Sequence, residues 1–306
     1  MRPILLLSSL LFFWATSLPA HTGNTGSASG PGRPPHRRPP PRPHPLEEEA
    51  PRVSITIQGA WRVISSNGIP SHETGAFPNR GNPNAISPQS HLFMVPLHPV
   101  ATEEPTPKGQ HPFGVAVNGV PFDPDTAGWW QDDPSSGWRM QAITGEMLGM
   151  DGNNAHVQPN GAYHYHALPT GLVDAYEEDT PVILGWAADG YPITAPWGHQ
   201  EPMDPESPLI PLRSGYVLKE GSRPGGPDGP GGAHDGTYGA DWIFEDAGDL
   251  DLLNGRFAAL PGFPEGTYHY VISESWPFVP RFYRGTPHES FQRRGPHGTR
   301  RRPPPR

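Results

Sequence analysis

The chain has 306 residues, a formal net charge of −9, 37 Gly, 44 Pro and only 34% hydrophobic residues, a composition in which long amphipathic helices are hard to place. It contains no cysteine, which excludes disulfides, thiolate metal ligands, a cysteine nucleophile and lipid attachment to a thiol. Charge is unevenly spread: the two ends hold 11 of the 22 Lys+Arg and no acid, leaving 11 basic against 31 acidic residues between Leu46 and Gln292. Such a body repels nucleic acid and attracts cations.

In chain order, Met1-Arg2 carries a positive charge, Ile4 to Trp14 is apolar, and Ser17-Leu18-Pro19-Ala20 offers a small residue for cleavage. That pattern predicts a signal peptide over 1–20 and an exported protein, secreted or periplasmic. The run is shorter than the ~18 apolar residues that span a bilayer, and no later segment reaches that length, so no membrane span is expected. Cleavage after Ala20 would expose His21, and an N-terminal His can chelate copper. The Thr22 to Pro45 segment behind it, however, reads as an untethered arm. Residues 21–51 read as a disordered Pro/Arg-rich arm and 289–306 as a disordered basic tail, with too few apolar side chains to offset the entropy of ordering them. Between them, 52–288 reads as one domain.

Strands are expected over Val53–Ile57, Trp61–Ser65, His91–Val95, Gly114–Val117, Ala162–Ala167, Val182–Ala187 and Thr267–Ile272, each bounded by turn formers, with a short helix near Gln141–Leu148. The fold class is therefore mainly β, a sandwich- or barrel-like domain with long ordered loops. With nine Trp, nine Tyr and 12 Phe, aromatic packing is expected to do much of the work of an aliphatic core. One frame recurs: Pro159-Asn160-Gly161-Ala162-Tyr163-His164-Tyr165 is echoed by Pro264-Glu265-Gly266-Thr267-Tyr268-His269-Tyr270. Each copy reads as a turn feeding a strand, either as equivalent edges of a pseudo-symmetric core or as two similar hairpins.

Strand alternation decides what Tyr163-His164-Tyr165-His166 can do. The two His share one face and the two Tyr the other, so one face coordinates while the other packs. A hairpin through Gln158 to Gly161 would bring His156 beside them, and three imidazoles suit zinc or copper. His269 is the candidate fourth ligand or an outer hydrogen-bonding partner. The competing reading makes all of these structural histidines bonded to backbone. Asp189 could orient a ligand His or merely start a turn. His72 sits in a Pro/Asn-rich loop, and Met147 and Met150 could serve Cu(I) or simply pack.

Taken together, several segments resemble the YHYH-domain proteins from about Ser66 to Arg281. They are Asn67-Gly68-Ile69-Pro70-Ser71-His72, Phe77-Pro78-Asn79-Arg80-Gly81-Asn82-Pro83-Asn84, Gly114 to Phe122, Asn154 to Pro159, the Tyr-His-Tyr-His run, Leu184 to Ile193, Asp249-Leu250-Asp251, Asn254-Gly255-Arg256, Pro264 to Tyr270 and Pro277 to Arg281. The resemblance implies a family but no reaction. Relatives often carry cysteines near these segments, so any role resting on thiols does not transfer to this chain.

Three functions compete at this point. The first is a metal-binding protein, with copper or zinc as its partner ion. The second is a metal-dependent enzyme in which Asp189, Asp151 or a Tyr acts as acid or base. The third is a carbohydrate or adhesion module with Trp129, Trp130 and Trp138 as exposed stacking platforms. No hydrolase, zincin or nucleotide-binding motif supports the enzyme.

Overall fold

The computed structural model describes residues 49–143, 148–176 and 180–292. The expected signal peptide, the arm through residue 48, the tail from residue 293, and Met147 lie outside the described residues, as does part of the helix expected near Gln141–Leu148. The described body runs past His288, because Phe291 is buried and stacks on Phe93 with centroids 4.7 Å apart.

The architecture is mainly β, and the longest helix among the described residues, α1 (Thr170–Val173), is a single turn. The strands are β1 (Val53–Gln58), β2 (Trp61–Ser66), β3 (His91–Pro96), β4 (Ala101–Pro107), β5 (Gly114–Ala116), β6 (Pro121–Phe122), β7 (Ala155–Val157), β8 (Tyr163–Tyr165) and β9 (Ile183–Ala187). They continue with β10 (Pro192–Thr194), β11 (Trp197–His199), β12 (Leu209–Pro211), β13 (Tyr216–Leu218), β14 (Trp242–Phe244), β15 (Gly255–Leu260), β16 (Phe263–Val271) and β17 (Phe282–Gly285). β1, β2 and β3 form one antiparallel sheet, and three strand pairs, β11-β12, β13-β14 and β17-β4, stand apart. The central sheet has the order β15-β16-β10-β9-β5-β6-β8-β7.

That order is a palindrome about the β9/β5 junction. There Val115 pairs with Trp186, flanked by Gly114↔Ala187 and Ala116↔Gly185. Each half begins with the same hairpin frame: Gly114 to Phe122 reads G-V-A-V-N-G-V-P-F, and Gly185 to Ile193 reads G-W-A-A-D-G-Y-P-I. The first glycine of each frame lets the central strands approach, since a Cβ at Gly114 would lie 2.5 Å from the Trp186 carbonyl oxygen and one at Gly185 2.2 Å from that of Val115. The second glycine takes the positive φ that its turn demands, 81° at Gly119 and 107° at Gly190.

Each half then adds a second hairpin entered by an Asp-x-x-Asn turn. Asp151 Oδ1 accepts from the amides of Asn153 and Ala155, and Asp251 Oδ1 from those of Leu253 and Gly255. Asn154 and Asn254 sit at φ 52° and 55°, the left-handed region that Asn tolerates. The tyrosine hydroxyls close the motif, Tyr163 on Asp151 Oδ2 at 2.7 Å and Tyr268 on both Asp251 oxygens at 3.0 and 3.1 Å. Pairing is equivalent too: β8 runs parallel to β6 through Phe122↔Tyr165, and β16 parallel to β10 through Ile193↔Tyr270. The recurring P-x-G-x-Y-H-Y frame therefore marks the later part of a longer duplicated unit, but only its first copy is a turn feeding a strand. Gly161 closes the β7-β8 turn, whereas Pro264-Glu265-Gly266 already lies within β16 and that hairpin turns earlier, at Pro261-Gly262.

Aromatic residues dominate the core, as their number suggests. Tyr163, Tyr165, Tyr270, Tyr283, Phe113 and Phe122 are fully buried, and Phe113 stacks on Tyr283 at 4.8 Å while meeting Tyr270 edge-on at 4.9 Å. Aromatic pairs of this kind add ~0.5–1.5 kcal/mol each beyond their buried area.

Candidate metal centre

The first half builds its site on the β7-β8 hairpin. The turn closes as expected, with Gly161 at φ 85° donating its amide to the Gln158 carbonyl, and register places His156 opposite His164. His166, just past β8, continues the alternation onto the same face. The three rings form a near-equilateral group with every centroid pair 4.7 Å apart. One ligand atom from each lies within 4.8 Å of the others. On the opposite face Tyr163 and Tyr165 have no exposed area, so the strand is clamped from behind.

Backbone carbonyls set the ring orientations. His156 Nδ1 lies 3.0 Å from the Leu148 oxygen and His164 Nδ1 3.3 Å from that of Ala162. An N–H donated from each Nδ1 leaves Nε2 as the lone pair for a metal, the outer contact common to metal-bound histidines. His166 is 1% exposed and neither of its nitrogens completes a hydrogen bond, although the Pro124 carbonyl acts on the ring. A buried polar atom in that state costs on the order of 1–3 kcal/mol, and donating its lone pair to an ion relieves that cost.

Burial favours the neutral form at two of the three rings. Burial, then repulsion from His164 and His156, holds His166 well below the usual imidazole range; burial also lowers His156, opposed by the Leu148 carbonyl and Asp123. Neutral imidazole is the form that binds a metal. Asp123, which the sequence reading passed over, is buried level with His166, its amide bonded to the Tyr165 carbonyl and its Oδ2 accepting from Gln158 at 3.3 Å. Behind it lies a buried ion cluster: Asp125 takes Lys108 at 2.6 Å, Arg281 at 2.9 Å and Arg139 at 3.0 Å. The signal available in sequence was the Asp-x-Asp pair directly after a strand.

The remaining candidates lie elsewhere. His269, expected as fourth ligand or outer partner, is not among the converging residues. It sits on β16, five strand steps from β8, roughly 24 Å along the sheet at ~4.8 Å per step, and its Nδ1 meets Thr194 Oγ1 at 2.9 Å. Asp189 orients no triad histidine; it accepts from Tyr270 Oη at 2.7 Å and the Gly285 amide at 2.9 Å. His72 packs on the tyrosine face, with Nε2 2.6 Å from Tyr165 Oη. Asp151 serves its turn and Tyr163. Of the three tryptophans, Trp138 is buried, and Trp129 and Trp130 are half-buried with Arg139 over the Trp129 ring; none is an open platform.

The profile of the family described as YHYH protein matches residues 92–285. This chain belongs to that family. The matched span contains β7, β8 and all three converging histidines, so the tetrapeptide that gives the YHYH family its name supplies two of the three rings. No curated protein and no solved structure matches the chain.

Proposed function

We propose that this YHYH protein is exported and binds one zinc or copper ion through His156, His164 and His166. The observation that carries the reading is the convergence of three imidazoles on one face, His164 and His166 buried and His156 half-buried, with neither His166 nitrogen completing a hydrogen bond. The donor set fits the ion: three imidazoles without thiolate suit Zn(II) or copper, and the affinity order places Cu(II) above Zn(II). A bound ion would supply a Lewis acid at this face, while the chain's own contribution is to fix the rings through Leu148, Ala162 and the packed tyrosines. The acidic body favours cation capture. Binding is preferred to turnover because Asp151 and Asp189, the acid-base candidates, are engaged away from the rings. Export rests on the N-terminal pattern over 1–20; no helix among the described residues is long and apolar enough to cross a membrane.

Elemental analysis of the untagged protein, followed by calorimetric titration with Zn(II) and Cu(II) at pH 7.5, tests the reading. One ion per chain is expected, with Cu(II) held more tightly. Equal binding by a folded His164→Ala/His166→Ala variant overturns it.

A further inference from the structure

The duplication assigns every residue of the histidine cluster a counterpart in the other half. Superposing the two registers, His156↔His164 onto Arg256↔His269, equates Arg256 with His156 and His269 with His164. One step further along, Val271 stands where His166 stands, and Thr194, its partner on β10, where Asp123 stands. The scaffold is the same in both: the Asp-x-x-Asn turn, the Tyr-Asp bond, and an amide donated to the turn asparagine's carbonyl by His166 in one half at 2.8 Å and Val271 in the other at 2.9 Å.

We propose that the β15-β16 hairpin is a second metal cradle closed to metal by two residues, Arg256 and Val271. This rests on the metal reading of the first cluster. Arg256 brings a permanent guanidinium charge to the face where His156 brings a neutral ring, and its Nη2 is held by the His199 carbonyl at 2.9 Å. Val271 is fully buried among Leu212 and Leu250 and offers no lone pair. What remains is His269, 1% exposed, its Nδ1 held by Thr194 and its Nε2 without a partner. That is the arrangement of a ligand histidine, oriented through one nitrogen with the other left to donate. A guanidinium beside it supplies positive charge where the first hairpin would hold an ion.

The experiment is Zn(II) titration of untagged full chains, with bound metal counted after equilibrium dialysis. Wild type should hold one ion and Arg256→His/Val271→His two. Adding His164→Ala/His166→Ala to the double variant should return the count to one, and His269→Ala should then remove that ion. A double variant that keeps its circular dichroism and cooperative melting but stays at one ion overturns the proposal. Should the buried Val271 change prevent folding, Arg256→His alone leaves the core intact and should gain one weakly held Cu(II) per chain that disappears on His269→Ala; no such gain also overturns it. A wild type without metal beside an Arg256→His/Val271→His variant that binds one ion through His269 would sink the first-site reading and leave this one standing.

Discussion

The β7-β8 and β15-β16 hairpins share the Asp-x-x-Asn turn that enters them, the register at His164 and His269 and the tyrosine-carboxylate bond, yet one gathers three imidazoles and the other an arginine, a histidine and a valine. The difference separates what the fold needs from what the site needs. Aspartate, asparagine, glycine and tyrosine recur because backbone geometry and burial require them. The residues on the histidine face are free to diverge, since the scaffold closes without them. On the metal-binding proposal, function is set by the identities at a few equivalent positions.

The largest effect expected from breaking the comparison is on affinity. His164→Ala removes one of three ligands and should weaken Zn(II) and Cu(II) by at least ~100-fold, the scale on which even outer partners of ligands act. His269→Ala at the equivalent position should leave both affinities within about twofold. Parallel titrations decide it: comparable losses in the two variants would place the ion where the structure shows no convergence.

Acid should act on both hairpins but release metal from only one. Burial lowers His166 and His156 below the ordinary ~6.5 and pushes His269 down to about 3. With folded values depressed, the stability tied to neutral rings is complete above ~6.5 and is lost as pH falls below it toward the folded values. Protons must also displace the ion, so zinc release should lie on the acid side of ~6.5. Dialysis against buffers from pH 8 to pH 4 would expose an error as release above pH 7 or full retention at pH 4.

Much of the first hairpin was legible in the sequence because period-two alternation and a Gly turn fix which side chains share a face. His156, His164, His166 and the buried tyrosines followed from that alone. His269 lies elsewhere for a physical reason: the repeated Tyr-His-Tyr segment carries the same strand register in both halves, but nothing local encodes that the two copies lie at opposite ends of an eight-stranded sheet. The pairing of β9 with β5 depends on contacts distant in sequence, and no local pattern encodes them. β4 escaped notice because Pro105 and its acidic neighbours read as loop, although such residues are at home on an edge strand like this one, paired only with β17. The Asp123-x-Asp125 pair stands out in the sequence, but the partners of Asp125 do not, since Lys108, Arg139 and Arg281 come from three separate segments.

A smaller effect should separate the two turns. Asp151 accepts from two amides of its own turn, from Tyr163 and from the Gly75 amide, whereas Asp251 has the turn amides and Tyr268 only. Losing a carboxylate that satisfies several donors costs on the order of 3 kcal/mol, so both Ala variants should be destabilised, Asp151→Ala more. Because Asp151 also anchors the turn leading into β7, its loss should weaken metal binding while Asp251→Ala should not. Urea denaturation with zinc titration of each variant checks both halves of the statement, and an affinity loss confined to Asp251→Ala would refute it.

The finest test uses the turn of the first hairpin in each half, where Asn118 stands against Asp189 and the halves differ in charge. Asn118 donates to Tyr165 Oη at 2.8 Å; Asp189 instead accepts from Tyr270 Oη, and burial raises its carboxyl to about 6 despite the bonds from Tyr270 and Gly285. A folded value above the ordinary ~3.9 means that the group's stabilising contribution is complete below ~3.9 and is lost as pH rises through about 6. Above that pH the buried carboxylate depends on its hydrogen bonds, and one to a charged group is worth ~1.5–3 kcal/mol against ~0.5–1.5 for a neutral one. Tyr270→Phe should therefore cost about 1 kcal/mol more at pH 8 than at pH 5. In an Asp189→Asn background, which gives the second half the amide of the first, that pH-dependent difference should vanish. Urea melts of the four proteins at both pH values measure it. A Tyr270→Phe cost that is the same at pH 8 and pH 5 would mean that Asp189 does not change charge in this window.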